Sequence, residues 1–255
     1  MPYSDLCREK ILSENYHDFI VSDIRMPFLQ DMLEKDCCLQ NPGFFYQCAY
    51  LSKSVIKPVS LENYSYFSIP KCYSLLSMQA LNQAGILPIQ NHSTIQLSGK
   101  QVMIGFLDTG IDYQNPVFQH LDKTTRIAGI WDQTIQSGTP PESFDYGSHY
   151  TPDMINEALA SEDPYSLVPS VDNNGHGTFL ASIAAGSGDP DAQFIGAAPE
   201  SVIAVVKLKQ AKQYLRDYYF IPNTAPAFQE NDIMLGMRYL HLLAEKLGLP
   251  LIFCL

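Results

Sequence analysis

Apolar positions become periodic only in the second part of the chain. Five of the six residues at 102–107 are apolar, ending at Asp108, with Gly110 breaking the run. This is how a strand buried on both faces of a parallel sheet reads. Residues 201–208, Ser-Val-Ile-Ala-Val-Val-Lys-Leu, repeat the pattern behind the turn Gly-Ala-Ala-Pro-Glu at 196–200. Residues 230–247 place Ile233, Met237, Leu240, Ala244 and Leu247 on one helical face, stopped by Gly248 and Pro250, a stripe expected to face a sheet. Residues 249–255 read as a third apolar strand. Strand, helix, strand, helix, strand predicts an α/β fold with a doubly wound parallel sheet and right-handed crossovers.

Between the first two strands lies a long polar stretch at 113–173. It predicts a short strand at 126–131 and a helix at 151–159, capped by Thr151 with Pro152 at the first helical position. Residues 173–187 then read Asn-Asn-Gly-His-Gly-Thr-Phe-Leu-Ala-Ser-Ile-Ala-Ala-Gly-Ser. Phe179, Leu180, Ile183 and Ala184 fall at helical spacing and Gly186 ends the run, so His176 opens a helix. The glycines at 175 and 177 leave that histidine uncrowded and let another backbone come close.

Residues 1–90 lack the βα alternation and are rich in Tyr and Phe, which predicts a separate small α+β unit. Strands are expected at 18–23 and 44–50, and helices at 28–34 and 74–84, the latter ended by Gly85. Residues 88–98 read as a linker into the larger unit at 91–255.

Composition narrows the picture. With 255 residues, 46% hydrophobic, the chain has enough apolar surface for a proper core. A net charge of −11 disfavours nucleic acid and anionic membrane as partners. No apolar run reaches the roughly eighteen residues of a membrane span, and the N-terminus lacks the apolar core of a signal peptide. The six cysteines are irregularly spaced and read as reduced thiols, so an intracellular protein is expected. Aspartates such as Asp112, Asp172 and Asp189 are compatible with calcium but show no ligand spacing, so no metal ligand or other cofactor is assigned. His17, His92, His120, His149 and His241 have no supporting context and are given no role.

Ligands of α/β sheets bind beyond the carboxyl ends of strands, which makes Asp108 a site candidate. His176 is its natural partner. A carboxylate can accept the imidazole Nδ1 proton, fix the tautomer and stabilise the imidazolium while Nε2 takes a proton from a nucleophile. The order Asp, then His, then Ser is one of the known arrangements of such a triad.

On the motifs Val-Met-Ile-Gly-Phe-Leu-Asp-Thr-Gly-Ile-Asp (102–112), Asn-Gly-His-Gly-Thr-Phe-Leu-Ala (174–181), Gly-Ala-Ala-Pro-Glu-Ser (196–201) and Val-Val-Lys-Leu (205–208), the sequence resembles the subtilisin-like (S8) serine peptidases. Residues 125–134 and 153–159 look further like the clostridial branch that includes the Csp germination proteases, which suggests a link to spores. The resemblance covers about residues 65–255. It implies Asp108 as orienting carboxylate, His176 as general base and acid, a protein or peptide substrate, and a pro-domain within the first 60 to 90 residues that assists folding and occupies the cleft.

The nucleophile is missing. Family members carry a Gly-Thr-Ser segment and an oxyanion Asn downstream, but no Gly-Thr-Ser follows His176 here. The larger unit is therefore expected to be the N-terminal part of a subtilisin-like domain, truncated before the catalytic Ser and inactive alone. The rival reading is a non-catalytic subtilisin-like scaffold that binds a partner.

Overall fold

The computed structural model describes residues 5–22, 36–43, 45–73, 97–188 and 195–255. The helices expected at 28–34 and 74–84 and most of the linker lie outside these residues.

The N-terminal segment contains helix α1 (Asp5–Leu12) and strands β1 (Tyr16–Ser22), β2 (Cys37–Gly43) and β3 (Tyr46–Ser52). The strands form an antiparallel sheet in the order β1-β3-β2. β3 takes the centre because Cys48, Ala49, Tyr50 and Leu51 are all buried. β2 carries Pro42, which lacks an N–H for the ladder and is tolerated at an edge. Neither α1 nor β2 was visible in the apolar pattern, since Gln40, Asn41 and Pro42 break any alternation. Cys7 on α1 and Cys38 on β2 are joined as a disulfide, with Cα atoms 5.4 Å apart. The reading of six reduced thiols is corrected at these two positions: sequence spacing does not reveal that α1 lies on β2.

After the two-residue strand β4 (Cys72–Tyr73) the chain enters the larger sheet with β5 (Met103–Asp108), β6 (Ile127–Asp132) and β7 (Ser148–Tyr150). Helices α2 (Pro152–Ala160), α3 (Pro164–Leu167) and α4 (His176–Ala185) follow, then β8 (Val202–Lys207), α5 (Gln213–Tyr218), β9 (Phe228–Gln229), α6 (Glu230–Leu247) and β10 (Leu251–Cys254). The sheet order is β10-β5-β8-β6-β7. The first four strands are mutually parallel and β7 is antiparallel to β6, so the sheet is mixed at that edge. β10 forms the other edge, where Ile252 and Phe253 keep part of their surface exposed. Thr151 caps α2 by accepting from the Met154 N–H, with Pro152 in the first turn.

Every residue of β5 is buried, and its side chains serve two cores. Met103 and Leu107 pack with Ala204, Val206, Leu235, Tyr239 and Leu240 on the α6 face. Ile104 and Phe106 pack with Val205, Ile155, Ala181 and Ala185 on the α2 and α4 face. Gly105 lets α6 approach, because a Cβ there would lie 2.7 Å from Leu240 Cδ1.

The N-terminal sheet shares the first of these cores. Ile11, Cys38, Cys48 and Tyr50 belong to the same buried cluster as Leu235 and Tyr239. β4 pairs with β9, and the buried Asp18 accepts from Lys212 Nζ at 2.5 Å, Gln229 Nε2 at 2.6 Å and Asn231 Nδ2 at 3.0 Å. Beside it the His17 ring stacks on Tyr214 with centroids 3.9 Å apart.

Two half-buried histidines are expected to make the fold acid-sensitive. Burial pushes the His17 imidazolium down to about 4, helped by Lys53 and Lys212. His149 is also pushed down to about 4, by burial and then Lys246. Both are neutral in the fold, while an unfolded histidine takes its proton near pH 6.5. Their contribution is therefore complete above about pH 6.5 and is lost as the pH falls towards 4. The urea midpoint is expected to drop between pH 7 and 4.5, and His17→Phe, which keeps the stack, to drop less. Identical drops in the two proteins would remove His17 from this account.

Candidate active site

Asp108 is the last residue of β5 and 3% exposed. His176 is the first residue of α4, entered through Gly175 at φ 84°, a left-handed conformation that favours glycine. The two residues are 68 positions apart in sequence. The His176 Nδ1 lies 2.9 Å from both Asp108 oxygens. The His176 side chain keeps 16% of its surface exposed, against 4% for Asp108, so the carboxylate is shielded and the imidazole is reachable.

This juxtaposition is made by two turns that interlock. A Cβ on Gly177 would sit 2.2 Å from the Gly110 carbonyl oxygen and 3.2 Å from the Asp108 Cβ. Only glycine at 177 allows the start of α4 to lie on the Asp108–Gly110 turn, the close backbone approach expected for this glycine. Gly110 itself has φ 120°. The Gly177 N–H donates to Thr109 Oγ1 at 3.0 Å, and the Asp112 N–H donates to Thr178 Oγ1 at 2.8 Å. The Thr109 N–H donates to Asp108 Oδ1 at 2.7 Å, which fixes the carboxylate plane.

Asp172 is the hub that sequence reasoning missed. It accepts from Thr109 Oγ1 at 2.7 Å, from the Thr178 N–H at 2.8 Å and Oγ1 at 2.7 Å, and from the Asn174 and Gly175 N–H groups. Burial pushes its carboxyl up, but the donors of Thr178, Thr109 and Gly175 prevail and hold it below the ordinary carboxylate range. The available signal was its position four residues before His176, the N-terminal region where helices gather carboxylates. Of the other expected aspartates, Asp112 accepts from the Gln114 N–H and Asp189 lies outside the described residues. Among the described residues, Cys7, Cys38 and Asp145 gather within 4.8 Å of one another, but the two sulfurs are joined as a disulfide and offer no thiolate to a metal. That group includes neither Asp108 nor His176.

Beneath the site Lys207 pairs with Asp108 across the β5–β8 ladder, yet its Nζ donates to the Val171 carbonyl at 2.9 Å and lies 3.3 Å from Asp132. Arg126, buried, donates to the Ala185 carbonyl at 2.7 Å and to the Ser201 carbonyl at 2.6 Å. It thereby satisfies the last turn of the helix that His176 begins. Beside the His176 loop a polar cavity of about 500 Å³ is lined by Asn174, Gln210, Gln213, Arg216, Asn223 and, from the turn between α1 and β1, Glu14.

A mostly parallel α/β sheet with a shielded carboxylate at one strand end and a histidine at a facing helix start fits a subtilisin-like fold. The sequence model of the subtilase family (Peptidase_S8) matches residues 99–231, and the chain belongs to that family.

Among similar proteins are two subtilisin-like proteases of Arabidopsis thaliana. SBT2.2 is 32% identical over 131 residues, which cover 44% of this chain and 15% of the relative. SBT2.1 is 30% identical over 132 residues, with the same two shares. The solved structure of the Clostridium perfringens CspB protease matches with a TM-score of 0.53 and 33% identity, covering 66% of this chain and 30% of that one. The chain thus spans about a seventh of the length of these curated relatives. Among the described residues no helix is long and apolar enough to cross a membrane.

Proposed function

We propose that this chain carries the Asp–His half of a serine endopeptidase. Asp108 orients His176 and stabilises its imidazolium, while His176 takes the proton of a serine nucleophile and returns it to the leaving amine. The observation that carries this reading is the contact of Nδ1 with both carboxylate oxygens at 2.9 Å, made by a histidine that remains partly exposed. An acyl-enzyme needs a serine and oxyanion donors in addition, and no Gly-Thr-Ser segment follows His176. The polar cavity beside Asn174 is the proposed path of the peptide.

The N-terminal unit is proposed as a pro-domain that stays docked on the catalytic part. Its shared core with α6 and the Asp18 contacts support this. So does Glu14, which accepts from the Gln213 N–H at the start of α5, on the cavity wall.

The 255-residue chain by itself is expected to turn over no peptide amide or ester above the buffer rate, and turnover would defeat the assignment of the nucleophile elsewhere. A polypeptide uniting this chain with a nucleophile-bearing segment is expected to react with a fluorophosphonate probe. His176→Ala is expected to slow that labelling by about 10³-fold or more. Labelling of that variant at an unchanged rate would remove His176 from the role of general base, and no labelling of the parent polypeptide would favour a non-catalytic scaffold over the protease reading.

A further inference from the structure

We propose that the Cys7–Cys38 disulfide is a redox latch. Oxidised, it clamps the first turn of α1 to β2 and holds both on the loop between β6 and β7; a dithiol reductant releases that hold.

Three contacts meet at this spot. Cys7 lies in the first turn of α1, and its neighbour Arg8 donates to the Gln136 carbonyl. Cys38 lies on β2, and Gln40, two residues on and also buried, donates to the Asp145 carboxylate. The Gln40 Nε2 lies 3.9 Å from Cys7 Sγ. Gln136 and Asp145 both belong to the β6–β7 loop, whose Phe144 and Tyr146 pack on Trp131. Helix α1 has eight residues, short of the roughly 12–15 that let a helix persist alone in water. Its last turn is held by Ile11, in the core, and by Lys10 Nζ, which donates to the Cys37 carbonyl at 2.9 Å. The disulfide ties its first turn, and so keeps Arg8 within reach of Gln136.

The chemistry around the bond suits a switch. Cys48, Cys72 and Cys254 remain thiols. Where a compartment keeps thiols reduced, a disulfide is usually transient and redox-sensing rather than a permanent staple. Cys48 faces Gln40 across the β2–β3 ladder, and burial pushes its thiol well above the ordinary range, so it stays protonated and does not attack the bond. The electrons therefore come from outside. One thiolate of a dithiol attacks Sγ of Cys7, which is half-buried while Cys38 is buried, and Cys38 leaves with the electron pair. The second thiol of the reductant then displaces Cys7 and closes a disulfide within the reductant, leaving Cys7 and Cys38 as two protonated thiols. On the reading of the polar cavity as the peptide path, the release is felt there, because Glu14, two residues beyond α1, accepts from the Gln213 N–H on the cavity wall.

The test compares amide hydrogen exchange of the purified chain before and after dithiothreitol, with alkylation of the denatured chain to count thiols. Reduction is expected to raise the count by two and to speed exchange of the hydrogen-bonded α1 amides about 10²-fold, while β5, α4 and α6 keep their rates. Cys7→Ser is expected to exchange at the fast rate with or without the reductant, although the comparison of the two redox states needs no variant. An unchanged thiol count would remove the bond itself. Slow α1 exchange after reduction would remove the latch, and equal acceleration of α1 and β5 would make the bond a staple of the whole fold; each result overturns the proposal. The measurement reads α1 and no peptide turnover, so its failure leaves the reading of the cavity untouched.

Discussion

Replacing Gly177 by Ala is expected to break the Asp108–His176 contact while leaving most of the sheet intact. The added Cβ would lie 2.2 Å from the Gly110 carbonyl oxygen and 3.1 Å from the Gly110 nitrogen. Both are backbone atoms, which no rotamer change moves away. Either the start of α4 or the Asp108–Gly110 turn must shift, and overpacking of this kind costs about 1–3 kcal/mol, occasionally more. A misplacement of about 1 Å between reacting groups costs about 10²-fold in rate. Two readouts follow: loss of the low-field proton signal of the His176 Nδ1–H held by Asp108, and slower fluorophosphonate labelling wherever the nucleophile is present. Gly175→Ala is the control. Its site is open, with nothing within 4 Å of a Cβ, but its φ of 84° is left-handed, so it is expected to cost about 1–2 kcal/mol and keep the proton signal. If the Gly177 variant kept the signal as well, helix approach would not be what sets the pair.

The second large effect is expected where β1 meets the residues flanking α5 and β9. Asp18→Ala removes the carboxylate that accepts from Lys212, Gln229 and Asn231, and leaves the Lys212 ammonium, 3% exposed, without its counter-charge. Burial already pushes the Lys212 ammonium below its ordinary range, with Asp18 opposing that shift. Breaking one side of such a pair costs about 3–5 kcal/mol, a large share of the roughly 5–15 kcal/mol that holds a domain together. Denaturant unfolding measures the loss, and limited proteolysis shows whether the N-terminal sheet is the part released. The double change Asp18→Leu with Lys212→Met is expected to recover only part of the stability. It removes both charges but leaves the Gln229 and Asn231 amides facing an apolar side chain. A loss below about 1 kcal/mol for Asp18→Ala would mean that Lys212 finds water or another acceptor.

How much of this was legible in the chain varies by element. β5, β8, α4 and α6 were read close to their observed bounds because each shows an unbroken apolar run or period, and β5 ends at Asp108, α4 before Gly186 and α6 before Gly248. The 113–173 stretch read as polar, yet Phe144 and Tyr146 in it are buried around Trp131. Their burial was illegible because isolated aromatics in a polar loop carry no period. β7 was missed for a similar reason: three residues, Ser-His-Tyr, pair with β6 only because the loop folds back. The N-terminal segment was the least legible, since its strands are short and β2 is a polar edge strand.

The same division holds for the site. Asp108 and His176 were found because each stands at a sharp local break, an acid closing an apolar run and a histidine between two glycines. Asp172 was passed over as one more scattered acid, and His149 as a histidine without context. Both acquire meaning only from groups 63 and 90 residues distant, Thr109 and Tyr239.

By itself, the sequence determined the alternation of strand and helix, the identity of the two paired residues and the glycines that permit their approach. These rest on local rules, namely side-chain period, caps and φ preference. The tertiary structure alone decided that Asp172 locks both turns, that Cys7 meets Cys38 and that Asp18 neutralises Lys212. It also decided that Tyr239 and His149 pack together over Gly129. Each of these is an encounter between distant segments, and such encounters are selected by how two faces of a sheet are covered, a property of the packed chain that no window of residues contains.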